Sequence, residues 1–207
     1  MERPPAEPAA GHIPNVIVLA GINGAGKTTA SREVLANAFG ILTFVNADVI
    51  AQGLSGFDPD AAAFEAGRIM LARMDALAAQ RVDFAFETTL AARSYAGWLE
   101  SLRQTGYGVH LLYYWLKSAD LAVERVAARV RLGGHSVPEE TIRRRYGRSI
   151  ENLTKLYLPV ATTWKVYDNN QEAPRLVAHG GVGLGETIVD PAAWSAIKRR
   201  ASDDGSP

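Results

Sequence analysis

Three groups of residues in this 207-residue chain carry chemistry if the fold brings them together. The first is Gly21-Ile22-Asn23-Gly24-Ala25-Gly26-Lys27-Thr28, which spells G-x-x-x-x-G-K-[ST], a phosphate-binding loop. Backbone N–H groups in such a loop converge on an anion, and the helix that follows adds its dipole. Lys27 is then placed to reach the β- and γ-phosphates of a nucleoside triphosphate, and the Thr28 hydroxyl to ligate Mg²⁺. The second group is a pair of carboxylates, Asp48 and Glu87. Near a triphosphate, one acid can orient or deprotonate an attacking hydroxyl while the other binds substrate or a metal-bound water. Asp48 also suits a helix N-cap before Val49-Ile50. An acid closing the apolar run Phe84-Ala85-Phe86 needs a partner, so Glu87 points more firmly to a site. The third group is Arg125, Arg129, Arg131, Arg143, Arg144, Arg145 and Arg148, which bracket a Gly133-Gly134-His135-Ser136 turn. Loose phosphoryl-transfer transition states leave the protein mainly to position and neutralise charge, which arginines on a glycine-hinged lid can do. Helical spacing lets only part of the cluster face one site, and Glu139, Glu140 and Glu151 are available to pair with the rest. His135 reads as a turn residue.

These groups need a scaffold that delivers them to one place. Strands and helices alternate, as in a parallel sheet covered on both faces. Val16-Ile17-Val18-Leu19-Ala20 is a buried strand, and residues 28–39 form the helix after the loop, with Val34, Leu35, Ala38 and Phe39 at helical spacing before Gly40. Residues 41–46 are a second strand. Asp58-Pro59 opens a helix whose inward stripe is Phe64, Gly67, Leu71, Met74 and Ala78, flanked by Arg68. Residues 82–86 form a third strand, and residues 95–104 a helix. Residues 109–116 form a fourth strand, and Ser118 or Asp120 caps the helix after it. Ser136-Val137-Pro138-Glu139 has the capping-box pattern for a helix through about Leu156, with Ile142, Tyr146, Ile150 or Ser149, Leu153 and Tyr157 inward. Residues 164–167 complete a five-stranded parallel core, ending at Asp168-Asn169. Residues 176–178 and 187–189 form a small terminal hairpin, and a short helix surrounds Trp194. In open parallel sheets, ligands sit beyond the carboxyl ends of the strands. Those ends carry the phosphate loop, Asp48, Glu87-Thr88-Thr89, Lys117 and Asp168-Asn169.

Composition sets the bounds. At 22.3 kDa and 47% hydrophobic residues, one well-packed domain over residues 15–200 is expected, between flexible segments at 1–14 and 201–207. Formal net charge is zero and the pI about 6.9, which counts against a nucleic-acid-binding surface. Without cysteine, disulfides and thiolate metal sites are excluded. No stretch reaches the ~18–20 apolar residues of a membrane span. A soluble, cytoplasmic protein is the expectation.

Together these residues resemble the zeta toxin family of kinases, in particular its short chromosomal branch. The matching features are the phosphate loop, Phe44-Val45-Asn46-Ala47-Asp48-Val49-Ile50-Ala51, Ala66-Gly67-Arg68 and Phe84-Ala85-Phe86-Glu87-Thr88-Thr89-Leu90. Arg131 and the Gly133-Gly134-His135-Ser136-Val137-Pro138 turn leading to Ile142-Arg143-Arg144-Arg145-Tyr146 also match, as does Tyr167-Asp168-Asn169. The resemblance implies a three-layer α/β/α, nucleoside-monophosphate-kinase-like fold with a helical arginine-bearing lid at about 131–148. It implies ATP or GTP as phosphoryl donor with Mg²⁺, and the sugar hydroxyl of UDP-N-acetylglucosamine as acceptor. By position, Asp48 is the base, and Lys27, Arg131 and Arg144 act on the phosphates, with Arg143 or Arg145 as alternatives to Arg144. Gly21, Asn23, Gly24, Ala25, Gly26, Thr28, Thr29, Arg125, Asp168 and Asn169 fall on the nucleotide side. Arg68, Glu87, Thr88, Thr89 and Arg93 fall on the substrate side. A small antitoxin over the nucleotide site is a further family expectation. The chain lacks the long C-terminal region of the larger toxins.

Three rival activities share parts of this pattern. A kinase for another hydroxylated metabolite or antibiotic would use the same residues. A polynucleotide kinase would use the arginines, but zero net charge counts against it. An ATPase switch or transporter ATPase is suggested only by Leu54-Ser55-Gly56, which lacks the rest of a transporter signature.

Overall fold

The computed structural model describes residues 12–27, 40–41, 43–58 and 61–202. The helix expected over residues 28–39, including Thr28 and Thr29, and Pro59 lie outside the described residues. The strands are β1 (Asn15–Ala20), β2 (Phe44–Val45), β3 (Phe84–Thr88), β4 (Gly108–Trp115), β5 (Thr163–Asp168), β6 (Arg175–Gly181) and β7 (Gly185–Ile188). The helices are α1 (Ala47–Leu54), α2 (Ala63–Ala79), α3 (Ser94–Gln104), α4 (Ala119–Arg131), α5 (Glu139–Asn152) and α6 (Pro191–Ser202). A π-helical turn, Leu153–Tyr157, continues α5.

All seven strands form one sheet in the order β2-β3-β1-β4-β5-β6-β7. From β2 to β5 every pairing is parallel, and from β5 to β7 antiparallel. The five-stranded parallel core is thus extended to a mixed seven-stranded sheet. The terminal hairpin is not a separate unit, because β6 pairs with the outer edge of β5, whose backbone groups would otherwise be unpaired. Gly180 permits that approach: a Cβ there would stand 2.7 Å from the Trp164 ring. β1 reads as a continuous apolar run because it lies between β3 and β4 with both faces covered.

Aromatic packing fixes the layers that flank the site. Trp98 of α3 lies 6.2 Å from the Phe84 ring and 6.0 Å from the Phe86 ring, which seats α3 against β3. Trp194 of α6 stacks on Trp164 of β5 at 5.7 Å. Two expectations are corrected here. The inward stripe of α2 is Ala66, Met70, Met74 and Leu77, while Phe64 and Leu71 are exposed. Met74 fits both stripes at a 3.6-residue spacing, so periodicity alone did not choose between them, and tertiary contact did. Pro138, not Ser136, is the N-cap of α5, and no side chain caps it. The proline ring presets an extended entry, and the chain turns into the helix directly from it.

Candidate active site at the phosphate loop

β1 ends in the middle of the sheet, between β3 and β4, and the phosphate loop leaves from that point. Gly21 N–H donates to Thr88 O (3.2 Å) and Ala25 N–H to Ile22 O (3.0 Å), so the loop is folded by its own and its neighbour's backbone. Gly26 has φ 79°, and a Cβ there would stand 2.7 Å from the Asn169 amide nitrogen. Only glycine fits. That amide donates to Ala25 O at 2.7 Å, and Asn169 N–H donates to Trp115 O at 3.0 Å. Arg125 donates to the carbonyls of Asn169 and Asn170 at 2.8 and 3.0 Å. Asp168 is buried and accepts from Asn170 N–H (2.8 Å) and from Arg175 (3.2 Å). Arg125, Asp168 and Asn169 therefore brace the loop from the β5 side.

On the other side the loop opens into a cleft of about 230 Å³. Asn23, Lys27, Asp48, Glu87, Thr88, Thr89 and Arg145 all line it. Lys27 is only 6% exposed; its ammonium donates to Ile22 O at 3.2 Å and lies 3.4 Å from Glu87 Oε1. Removing two charges from water is costly unless each is matched, and this pair is matched. The other Glu87 oxygen accepts from the Asn46 amide at 3.0 Å. Asn46 is the residue that sequence reasoning missed. It caps α1 by accepting from Asp48 N–H (2.8 Å) and Val49 N–H (3.3 Å), so it fixes where Asp48 stands. The expected cap, Asp48, is instead in the first helical turn with an exposed side chain at the cleft. A side-chain amide between a strand end and an acid two residues later was the available signal.

Arg145 is the arginine that reaches this cleft. It donates to Asn23 Oδ1 of the phosphate loop at 3.3 Å. Burial pulls its pKa below the usual range, the Asp48 carboxylate acts the other way, and Arg144 lowers it further. A guanidinium so placed stays charged and gains from any anion brought to it. Arg144 and Arg131 are exposed and line no part of the cleft, as are Arg68 and Arg93. Arg143 is held outside, 2.6 Å from Asp120 and 2.8 Å from Glu139. Thr28 and Thr29 lie outside the described residues.

The loop that follows Glu87 is held by side chains some sixty residues further on. Ser149 Oγ donates to Thr89 O (2.5 Å), Asn152 Nδ2 to Leu90 O (2.7 Å), and Tyr157 OH to Ala92 O (2.5 Å). Between them Leu90 is fully buried at φ 58°, a conformation uncommon outside glycine. Ser149, Ile150 and Asn152 at the end of α5 are buried, as are Leu153 and Tyr157 of the π turn that continues it. The second half of the expected lid is packed into the core through Ile142 and Tyr146.

A glycine loop leaving a central parallel strand, with a lysine at its end, is the arrangement of a nucleotide-binding domain. The AAA domain family matches residues 16–148, well over half of the chain, and this span includes the loop, both carboxylates and Arg145. The chain belongs to the AAA domain family. An uncharacterized protein of Haemophilus influenzae is 28% identical over 130 residues, covering 63% of this chain and 91% of its own. In structure the AAA domain is similar to AvrRxo1-ORF1, solved with AvrRxo1-ORF2 and sulphate ions (TM-score 0.74, 16% identity) and with ATP (TM-score 0.71, 15% identity). The likeness covers 90% of this chain, which spans 64% of the AvrRxo1-ORF1 chain. It is also similar to a structure of the PezAT chromosomal toxin-antitoxin system of Streptococcus pneumoniae (TM-score 0.63, 13% identity), over 98% of this chain and 84% of that one. At these identities the likeness is one of fold. No helix among the described residues is long and apolar enough to cross a membrane.

Proposed function

We propose that this AAA domain is a phosphotransferase that moves the γ-phosphoryl group of ATP or GTP to a hydroxyl of a small molecule. One observation carries the reading: Lys27, Asp48, Glu87 and Arg145 line a single cleft at the mouth of the phosphate loop. The cations lie where a triphosphate tail would end, and a carboxylate stands exposed beside them. Asp48 receives the acceptor's proton as the acceptor oxygen bonds to the γ-phosphorus, and the bond to the β,γ-bridging oxygen breaks to release the nucleoside diphosphate. Lys27 and Arg145 offset the charge that spreads over the transferring group. Glu87 holds Lys27 and Asn46, and through Asn46 the start of α1, while Thr88 and Thr89 present polar groups to the acceptor. The donor set suits Mg²⁺ bound mainly by phosphate oxygens and water, with Thr28 as protein ligand; the ion would supply further neutralisation of the phosphates.

The acceptor we favour is the sugar of UDP-N-acetylglucosamine. Support comes from the sequence resemblance to zeta toxins and from the fold shared with PezAT, described as a toxin-antitoxin system. The same reading includes a small partner protein over the cleft; in its support, PezAT is a toxin-antitoxin system and AvrRxo1-ORF1 was solved with AvrRxo1-ORF2. The test is incubation with ATP, Mg²⁺ and a panel of nucleotide-sugars, nucleosides and antibiotics, read by mass spectrometry. A gain of one phosphate on the nucleotide-sugar is expected. Hydrolysis of ATP with no acceptor modified would refute transfer, and a different phosphorylated acceptor would refute the substrate.

A further inference from the structure

The phosphate-loop cleft has an uncharged wall as well as a charged one. Met70 of α2, Ala92 of the loop after β3 and Tyr95 in the first turn of α3 all line it. Met70 belongs to the buried stripe of α2, so it is held from behind. The Tyr95 ring lies 5.5 Å from the ring of Phe86, which is fully buried in β3 one residue before Glu87. An aromatic group is therefore seated against the same strand that carries the acid.

Tyr95 differs from the tyrosines that tie this fold together. The hydroxyls of Tyr107, Tyr146 and Tyr157 donate to backbone carbonyls, and that of Tyr113 bonds to Ser149. Among the described residues the Tyr95 hydroxyl has no such partner. The residue is half-buried, and burial pushes its pKa above the ordinary 10, so the hydroxyl keeps its proton and can donate.

Size and charge narrow what can lie against it. The cleft, about 230 Å³, is smaller than pockets that enclose whole drug-sized ligands, and in phosphotransfer the moving phosphoryl group shares it. One ring fits, with the rest of a larger acceptor outside. Phosphate then takes Lys27 and Arg145, which leaves Asp48 and Glu87 toward the acceptor. An acidic acceptor would meet like charge, and an ammonium would compete for the Asp48 carboxylate that has to take a hydroxyl proton. An uncharged group against Met70, Ala92 and Tyr95 leaves no ion unpaired.

We propose that Tyr95 sets acceptor specificity by seating a single uncharged hydroxylated ring, a sugar or cyclitol. The C–H face of that ring packs on the tyrosine ring, and one of its non-reacting hydroxyls bonds to the tyrosine hydroxyl. The inference rests on the phosphotransfer reading and adds the class of group that the cleft admits.

Initial rates of the full chain with ATP and Mg²⁺ test it, the acceptors being UDP-N-acetylglucosamine, N-acetylglucosamine, myo-inositol, gluconate, shikimate and kanamycin. Phosphate is expected on an uncharged ring and not on gluconate, shikimate or kanamycin. For the acceptor that wild type uses, Tyr95→Phe keeps the packing on Phe86 and should raise KM about 3–10-fold, with kcat and the KM of ATP unchanged. Tyr95→Leu removes the ring as well and should raise it about 10–100-fold. Unchanged acceptor KM in both variants, or an equal rise for ATP, overturns the role of Tyr95 and leaves phosphotransfer standing. An unchanged KM in Tyr95→Phe alone overturns the hydroxyl contact. An acid or the aminoglycoside phosphorylated as fast as the uncharged rings overturns the acceptor class. Transfer to none of them refutes phosphotransfer itself, and this inference with it.

Discussion

The two flanks of the phosphate-loop cleft are built by opposite means. On the sheet side, Lys27 and Glu87 are nearly buried, matched to each other, and held by the Ile22 carbonyl and the Asn46 amide. On the helical side, most of the arginines between positions 125 and 148 are exposed or tied to surface acids, and Arg145 alone among 143–145 turns to the loop. The sheet side is preorganised without ligand; the helical side offers one guanidinium whose charge is incompletely matched. Under the proposed phosphotransfer, the rigid flank would hold the phosphate tail and Arg145 would keep its charge for the group that moves.

Five substitutions and one pH series can break or sharpen that contrast. The largest effect is expected from Lys27→Ala, which removes the cation of the rigid flank: nucleotide affinity, read by equilibrium binding, should fall about a hundredfold or more and turnover reach background. Retained turnover would remove the premise. Next, Asp48→Asn keeps size and the exposed position but not the base. Turnover should drop about 10²–10⁴-fold with nucleotide affinity nearly intact, and equal rates would refute its role.

Arg145→Ala should lower turnover about 10²-fold and affinity far less, whereas Arg144→Ala should stay within about threefold of wild type. The reverse ranking would mean that α5 rotates when ligand binds and that the arrangement seen here is not the working one. Asn152→Leu leaves the buried Leu90 carbonyl without its donor, and should cost about 1–3 kcal/mol in urea unfolding while also slowing transfer. A stability loss with unchanged turnover would separate the strapped loop from the chemistry.

The smallest effect concerns pH. Burial holds the His110 pKa below its ordinary 6.5, opposed by the Asp83 carboxylate. Below about pH 6.5 the unfolded chain therefore takes up a proton that the folded chain resists. Stability from this group is complete above that pH and declines as pH falls; His110→Gln should flatten the decline in unfolding midpoints between pH 7.5 and 5.5.

Much of this was legible from residue order, and the misses have physical causes. The loop, both carboxylates and the parallel strands were readable because each obeys a local rule: glycine spacing, an acid after an apolar run, β-branched runs. The choice among Arg143, Arg144 and Arg145 was not, because adjacent helical positions differ only by rotation, and rotation is set by which residues the core accepts. Asp120 and Glu139 hold Arg143 outside, and Ile142 and Tyr146 turn inward. The α2 stripe slipped for a related reason, since alanine and methionine at 66, 70 and 74 made a weaker apolar signal than Phe64 and Leu71. Joining of the hairpin to the sheet was invisible because strand pairing is nonlocal. The fit of Arg125 and Asn169 behind the loop depended on Gly26 leaving space, a fact of backbone and not of pattern.

Leu90 carries a last consequence, for the order in which the molecule assembles. Its backbone holds a turn that few side chains tolerate, and the groups that secure it sit at 149, 152 and 157. During synthesis those anchors emerge well after the turn they hold. A nascent chain that has completed the first three strands therefore carries a phosphate loop, while the turn after β3 gains its anchors late, when the π turn docks.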